Sequence, residues 1–367
     1  PSPTVCAERG APQPKRSVRA RRRGKCLIAS LTSLVSLIPH NLRACAVSGA
    51  QACDAFPGML RWNRWAVVRA TIETMASKGK PSPRSAVKPL SDEQVAKLAQ
   101  KHHLVDPTHD FPTGPRKANT AEIKAQNPKA THRLLTGCDV VLRNHSKVKA
   151  WGLEHVPETG PFITAATHVT MYDVFVPMVS LFHQGRRPRY MAKAEMAKWP
   201  LIGKWFQLVG MQPVQRRAGK AKAIEETSVE ILTSGRPLTV WPEGTVTRDP
   251  QKWPMSMKNG VGVIALESSR RLGCQVPLYC AVTWGAASIN HWWPWPRKNV
   301  VMCYDEALDY ADLLDGCDSW GDEVPTDRAD ELTRRIRVRM TEIMAEIRGE
   351  QAPDGYWDYR TMSRVKD

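Results

Sequence analysis

"ITAATHVTMYDVFVP", residues 163–177, places His168 and Asp173 five positions apart at the end of an apolar run. A helix turns about 100° per residue, so five residues separate two side chains by roughly 140°, and no helical face holds both. If the two groups belong together, the backbone must change conformation between them. A strand ending at Ala166 or Thr167, a turn, and a helix starting near Thr170 supplies that change. Thr170 and Asp173 have the T-x-x-D form of a helix N-terminus, where a hydroxyl and a carboxylate satisfy free backbone N–H groups. Two readings stay open on this stretch alone. One is a cap plus a satisfied strand-end histidine; the other is an imidazole and a carboxylate assembled for proton transfer.

Outward from this stretch, strand-like and helical runs alternate. "HRLLTGCDVVLRN" from 132 reads as a helix and "VKAWGLEHV" from 148 as a strand. "PFITAATH" is a strand, followed by a helix over 170–183, and "RPRYMAKAEM" holds another strand before "PLIGKWFQLVGMQPV". Residues 219–234 have helical spacing, "PLTVWPEGT" contains a buried strand, "NGVGVIALESSRRLG" is a helix and "VPLYCAVTW" a strand. A helix over 326–348 carries Leu332, Ile336, Met340, Ile343 and Ile347 on one face. The alternation predicts an α/β fold: a mixed, largely parallel sheet flanked by helices. It is preceded by an N-terminal helical or disordered extension.

The chain has 367 residues with 42% hydrophobic and 24% charged, a composition that excludes a disordered chain. Its formal net charge of +17 is unusual and predicts an anionic partner: nucleic acid, a membrane surface or a phosphorylated substrate. No recognised nucleic-acid motif accompanies the charge, which is spread rather than striped, so nucleic acid is not the expected partner. Residues 1–58 hold nine Lys/Arg against two Asp/Glu and none of the thirteen methionines. They are read as a basic extension upstream of a natural start at Met59, with a secretory signal as the alternative for "PKRSVRARRRGKCLIASLTSLVSLI". Residues 59–130 read as a basic amphipathic helix, "MLRWNRWAVVRATIETM", and a Pro/Ser/Gly/Lys-rich linker with a small helix. The compact domain is expected over 131–350, and 351–367 as a C-terminal tail. Nine cysteines show no metal-ligand spacing, and the five beyond residue 58 are expected to be reduced thiols among apolar neighbours. "NHWWPWPRKN" (290–299) sets three Trp beside Arg and Lys, which suits a lipid–water interface or an ordinary packed loop equally.

Four stretches fall in a fixed order: "HVTMYD" (168–173), "GMQPVQRR" (210–217), "VWPEGTVTRDP" (240–250) and "VPLYCAV" (276–282). Together they resemble the four blocks of the glycerolipid acyltransferase family, the bacterial 1-acylglycerol-3-phosphate acyltransferases, over roughly residues 145–310. The resemblance implies a general base at His168 oriented by Asp173. It also implies an arginine holding the acceptor phosphate at Arg216, and Glu243, Gly244 and Thr245 at the acceptor. The family usually has Arg directly after P-E-G-T; here Val246 stands there and Arg248 follows two residues later. Lys193 in "AKAEM" and Lys258 in "MKNG" occupy positions where the family often carries lysine.

Each of these residues also has a plain structural reading. Arg216 and Arg217 fit an exposed basic pair, Glu243 a turn carboxylate, and the two lysines solvated charges. What the resemblance implies for the whole is an enzyme at the cytoplasmic face of a bacterial membrane, peripheral or monotopic and in contact with anionic lipid. It would take acyl-CoA or acyl carrier protein as donor and a lysophosphatidate-type acceptor, with no metal and no further cofactor. A lysolipid or glycolipid acceptor of another kind is the neighbouring alternative; a basic nucleic-acid-binding protein or a non-catalytic lipid-binding protein is the alternative of another class.

Overall fold

The computed structural model describes residues 88–107, 110, 128–187, 189–193, 211–214, 221–289 and 295–366. Its strands are β1 (Ser146–Trp151), β2 (Ile163–Ala166), β3 (Arg189–Lys193), β4 (Met211–Val214), β5 (Leu238–Val240), β6 (Leu278–Trp284), β7 (Lys298–Ala307), β8 (Tyr356–Asp358) and β9 (Ser363–Val365). Its helices are α1 (Asp92–Lys101), α2 (Pro128–His145), α3 (Phe175–His183), α4 (Ala221–Thr233), α5 (Gly260–Leu272) and α6 (Thr326–Arg348). Seven strands form one sheet in the order β1-β7-β6-β2-β5-β3-β4, and β8 and β9 form a separate hairpin.

β2 is the strand from which the sheet is best understood. All four of its residues are buried, so it shows no polar alternation; a strand covered on both faces needs none. It pairs in parallel with β5 on one side and β6 on the other. β3 and β4 continue that parallel run beyond β5. β7 reverses the direction, pairing antiparallel with β6 and parallel with β1. The expected mixed, largely parallel sheet is therefore present.

One face of the sheet presents Ile163 and Ala165 of β2, Leu238 and Val240 of β5, and Val282 and Trp284 of β6 to a core shared with α4, α5 and α6. The five residues of α6 named from sequence spacing are all 2% exposed or less. Alternate strand residues must face the other way. There Thr164 and Tyr304 join hydroxyls at 2.6 Å, and the Tyr304 ring leans on Tyr279.

α5 meets α6 closely at Gly262, where an added Cβ would lie 2.3 Å from the Ala329 carbonyl oxygen. That neighbour is backbone and cannot swing aside. Gly262→Ala gains helix propensity, about 1 kcal/mol, but must push the helices apart, and overpacking costs about 1–3 kcal/mol. The expected outcome is a lower urea midpoint with an unchanged slope.

Three expectations need correction. First, residues 88–107, read as part of a linker, belong to the domain. Leu90 and Leu98 are buried, Leu90 bridges Asn299, and Val105 bridges Ala150. Ser91 caps α1 through a reciprocal box with Gln94, whose side-chain amide reaches on to the Arg348 carbonyl. Second, residues 351–367 are not a loose tail: Tyr356–Val365 fold into the β8–β9 hairpin. Third, Cys138, Cys280, Cys303 and Cys317 are free, but Cys274 is disulfide-bonded. Residues 1–87, with Met59 and the amphipathic stretch, and 290–294 of the Trp-rich stretch lie outside the described residues.

Candidate active site

The backbone leaves the sheet where the sequence places the break. Thr167 still belongs to the ladder, its N–H donating to the Ala281 carbonyl at 3.0 Å and its hydroxyl accepting from Thr283 N–H at 3.1 Å. Thr170 is extended and caps a 3-10 turn over Met171–Val174 that runs into α3. Its hydroxyl accepts from Tyr172 N–H at 3.1 Å, and Asp173 Oδ2 accepts from Thr170 N–H at 2.6 Å. Asp173 is thereby the anchor of the turn. Its Oδ2 is held by the loop backbone at Thr170, in the reciprocal cap that T-x-x-D predicts. Burial pushes its carboxyl up to about 7, an effect that the bonds from Thr170 and Val169 only partly offset.

The second loop follows β5. Gly244 has φ +69, and its N–H donates to the Trp241 carbonyl at 2.9 Å, closing a tight turn. The position suits glycine for a second reason. The Lys258 side chain crosses it, with Cε 3.2 Å and Nζ 3.4 Å from where a Cβ would stand. Lys258 N–H also donates to the Pro242 carbonyl at 3.0 Å. A cation thus lies over the turn while remaining exposed to solvent.

Glu243 is buried, and it joins the two loops. Its Oε1 accepts from His168 N–H at 3.4 Å, a long bond, and Thr247 N–H donates to the His168 carbonyl at 2.7 Å. Burial pushes the Glu243 carboxyl up to about 8; bonds from His168, Met255 and Thr247 act the other way, and the nearby Asp173 charge adds to the rise. Burial disfavours the charged form of both carboxyl groups. The site is therefore less negative at neutral pH than its residue types suggest.

His168 stands half-buried between these groups. Its ring lies 5.6 Å from that of Trp241, tilted by 43°, and Trp241 stacks at 5.7 Å on Tyr190 from β3. Trp241 was not singled out from sequence. The available signal was its place: an aromatic residue directly after a buried strand and directly before P-E-G-T.

Thr245 is half-buried in the turn itself. Arg248 is exposed and directs its guanidinium to the ring of Tyr359 at 5.9 Å. Lys193 is the last residue of β3, so it shares with His168 and Glu243 the edge where parallel strands end. Ligands of open α/β sheets bind outside that edge. Arg216 lies outside the described residues.

A cavity of about 420 Å³ lies elsewhere, lined by residues such as His102, Trp151, Asp305, Arg339 and Glu346. It opens towards the opposite edge, because β7 runs against β6. Its charges are paired among themselves, Arg339 with Asp305 and Lys101 with Glu346. It is the seat of α1 on α6. Among the described residues no group of three or more His, Cys, Asp or Glu side chains could hold a metal ion.

Towards a hydroxyl nucleophile at this edge, the arrangement can accept a proton on the His168 imidazole and supply a cation from Lys258. A base and a cation are two of the elements that acyl transfer needs.

Comparison with known proteins agrees. Residues 147–284 match the family described as Acyltransferase. A lyso-ornithine lipid O-acyltransferase of Pseudomonas aeruginosa is 31% identical over 87 residues, 24% of this chain and 32% of that protein. The chloroplastic 1-acyl-sn-glycerol-3-phosphate acyltransferase LPAT1 of Arabidopsis thaliana is 23% identical over 128 residues, 33% of this chain and 35% of that one. The matches thus span about a third of the length of these relatives. The crystal structure of the 1-acyl-sn-glycerophosphate acyltransferase PlsC from Thermotoga maritima is similar with a TM-score of 0.43 and 19% identity, covering 80% of this chain and 98% of that one. Residues 147–284 thus match an acyltransferase domain, and the stretch is similar to lysolipid acyltransferases.

Proposed function

We propose that the protein transfers an acyl group from a thioester, acyl-CoA or acyl carrier protein, to the free hydroxyl of 1-acyl-glycerol-3-phosphate. The observation that supports this reading is the joining of the His168 and P-E-G-T loops by two hydrogen bonds at the edge of the sheet where the parallel strands end. His168 N–H donates to the Glu243 carboxyl, and Thr247 N–H to the His168 carbonyl. The acceptor hydroxyl attacks the thioester carbonyl as His168 takes its proton. The tetrahedral oxyanion collapses, the C–S bond breaks, and the leaving thiolate takes the proton from the imidazolium. An ester and a free thiol result, with no covalent enzyme intermediate. Lys258, Lys193 and Arg216 supply cations for the acceptor phosphate and the donor. Such an acceptor resides in a bilayer, so the working site is an anionic membrane surface on its cytoplasmic side. No helix among the described residues is long and apolar enough to cross a membrane, and the proposed attachment is peripheral or monotopic.

A second reading has its own support. Val246 takes the place of the arginine expected after P-E-G-T, and Arg248 leans on Tyr359. A site with one cation fewer suits an acceptor of another headgroup, and the Pseudomonas relative is named for lyso-ornithine lipid.

Thiol release from acyl-CoA on anionic vesicles separates the two. The rate is expected to be highest with 1-acyl-glycerol-3-phosphate, below it with lyso-ornithine lipid and lowest with monoacylglycerol. Arg216→Ala should raise KM for the phosphorylated acceptor by about tenfold or more, the worth of a lost charge-assisted contact, and change kcat less. Equal use of monoacylglycerol before and after the change would remove the phosphate role, and a faster lyso-ornithine lipid would favour the second reading.

A further inference from the structure

We propose that the C-terminal hairpin β8–β9 is a positioning element of the site, holding the loop 247–258 against the P-E-G-T turn and His168 through Arg364 and Trp357. The inference rests on the acyl-transfer reading above.

From Thr247 to Asn259 the chain has neither helix nor strand, only an isolated bridge at Met255. Yet this loop closes on the turn that carries Glu243, Lys258 N–H donating to the Pro242 carbonyl at 3.0 Å. It also ties down His168 through Thr247 N–H. A segment with no ladder of its own must be held from outside to keep such contacts.

The hairpin does this at two points. Met255 bridges Trp357, and Ser256 N–H donates to the Trp357 carbonyl at 2.8 Å. Arg364 Nη2 donates to Asp249 Oδ2 at 2.6 Å, and Asp249 is 0% exposed. Asp249 in turn organises the loop. Its Oδ1 accepts from Gln251 N–H at 2.7 Å, and its own N–H donates to the Thr247 hydroxyl at 3.3 Å. A short chain of contact follows, running Arg364, Asp249, Thr247, His168, while Trp357 holds the loop at Met255 and Ser256.

The hairpin is in turn seated on α6. Arg337 stacks over the Tyr356 ring at 3.9 Å. Arg348 lies 4.0 Å over the Trp253 ring and donates to the Gln251 carbonyl at 2.9 Å. Two strands of three residues have little stability alone, so this hairpin exists because it is docked. It contributes no strand to the seven-stranded sheet.

The test uses the full chain, Arg364→Ala, Arg364→Lys and a chain ended after Pro353. Kinetics on anionic vesicles are read beside hydrogen exchange of the peptides covering 243–258 and 278–284. Arg364→Ala is expected to lower kcat by roughly 10- to 100-fold, the effect of a displacement of about 1 Å at a reacting group, with KM for the donor within about twofold. Arg364→Lys should recover part of the loss, and the shortened chain should lose more. Exchange should quicken in 243–258 and stay as it was in 278–284. A kcat within about twofold of the full chain in both Arg364→Ala and the shortened chain would overturn the proposal. So would unaltered exchange in the loop, or faster exchange throughout the sheet, which would make the hairpin a stability element only. If the full chain moves no acyl group, the functional reading fails by itself, and the exchange contrast still decides whether the hairpin holds the loop.

Discussion

His168→Ala should lower kcat/KM for acyl transfer from a thioester by about 10²–10⁴-fold, the range that general-base catalysis contributes. The fold should survive it. His168 is half-buried, and the bonds it makes to Glu243 and Thr247 use its backbone N–H and carbonyl, which alanine keeps. The part lost is the ring facing Trp241. Far-UV circular dichroism and the melting temperature are therefore expected to stay close to the parent while thiol release from acyl-CoA collapses. Binding of donor and acceptor should persist, because proton removal matters only once both are in place. Turnover equal to the parent would move the base to another residue and leave His168 as a strand-end histidine.

Glu243→Gln should raise stability and lower turnover, with a dependence on pH that identifies the cause. Burial pushes the Glu243 carboxyl from its ordinary 4.5 up to about 8. The folded state therefore holds a proton that the unfolded chain releases above about pH 4.5. Protons bound in the native state then exceed those bound in the unfolded one, so stability falls as pH rises from about 4.5 to about 8. Glutamine does not ionise and escapes that fall. At pH 4 the two proteins should melt together; at pH 8.5 the variant should melt higher, by about 2–4 °C for each kcal/mol gained. The gain is at most about 1.4 kcal/mol per unit of pKa. Thermal scans across that range are the measurement. A constant difference at all pH values would mean that packing, not ionisation, sets the change.

The parts of this molecule with a strong period were open to reading from sequence. α6 follows its Leu332-to-Ile347 stripe, and the α3 entry follows T-x-x-D, since both signals are local. β7 was passed over because "KNVVMCYDEA" starts basic and ends acidic with no turn residues to bound it. The hairpin 356–365 was passed over because its strands are half-exposed and three residues long, too short for alternation to show.

At the site, the turn between His168 and Asp173 was legible, and its purpose was not. Asp173 spends an oxygen on Thr170, and the contact that joins His168 to another block comes from Glu243, 75 residues away. A bond between two loop backbones leaves no spacing in a sequence. The position of Trp241 against the imidazole is of the same kind, visible only once β5 lies beside β3 and β2.

The reversal at β7 bears on which stretch of chain is the least that can stand alone. The family match begins inside β1 and ends with the last residue of β6. Yet among the described residues β1 has no strand neighbour except β7, apart from the isolated bridge at Val105, and β7 lies wholly after that boundary. A fragment cut to 147–284 would carry a strand whose peptide groups have no partner, and would lack α6, which closes the core. The smallest self-sufficient piece is thus longer than the stretch that relatives share.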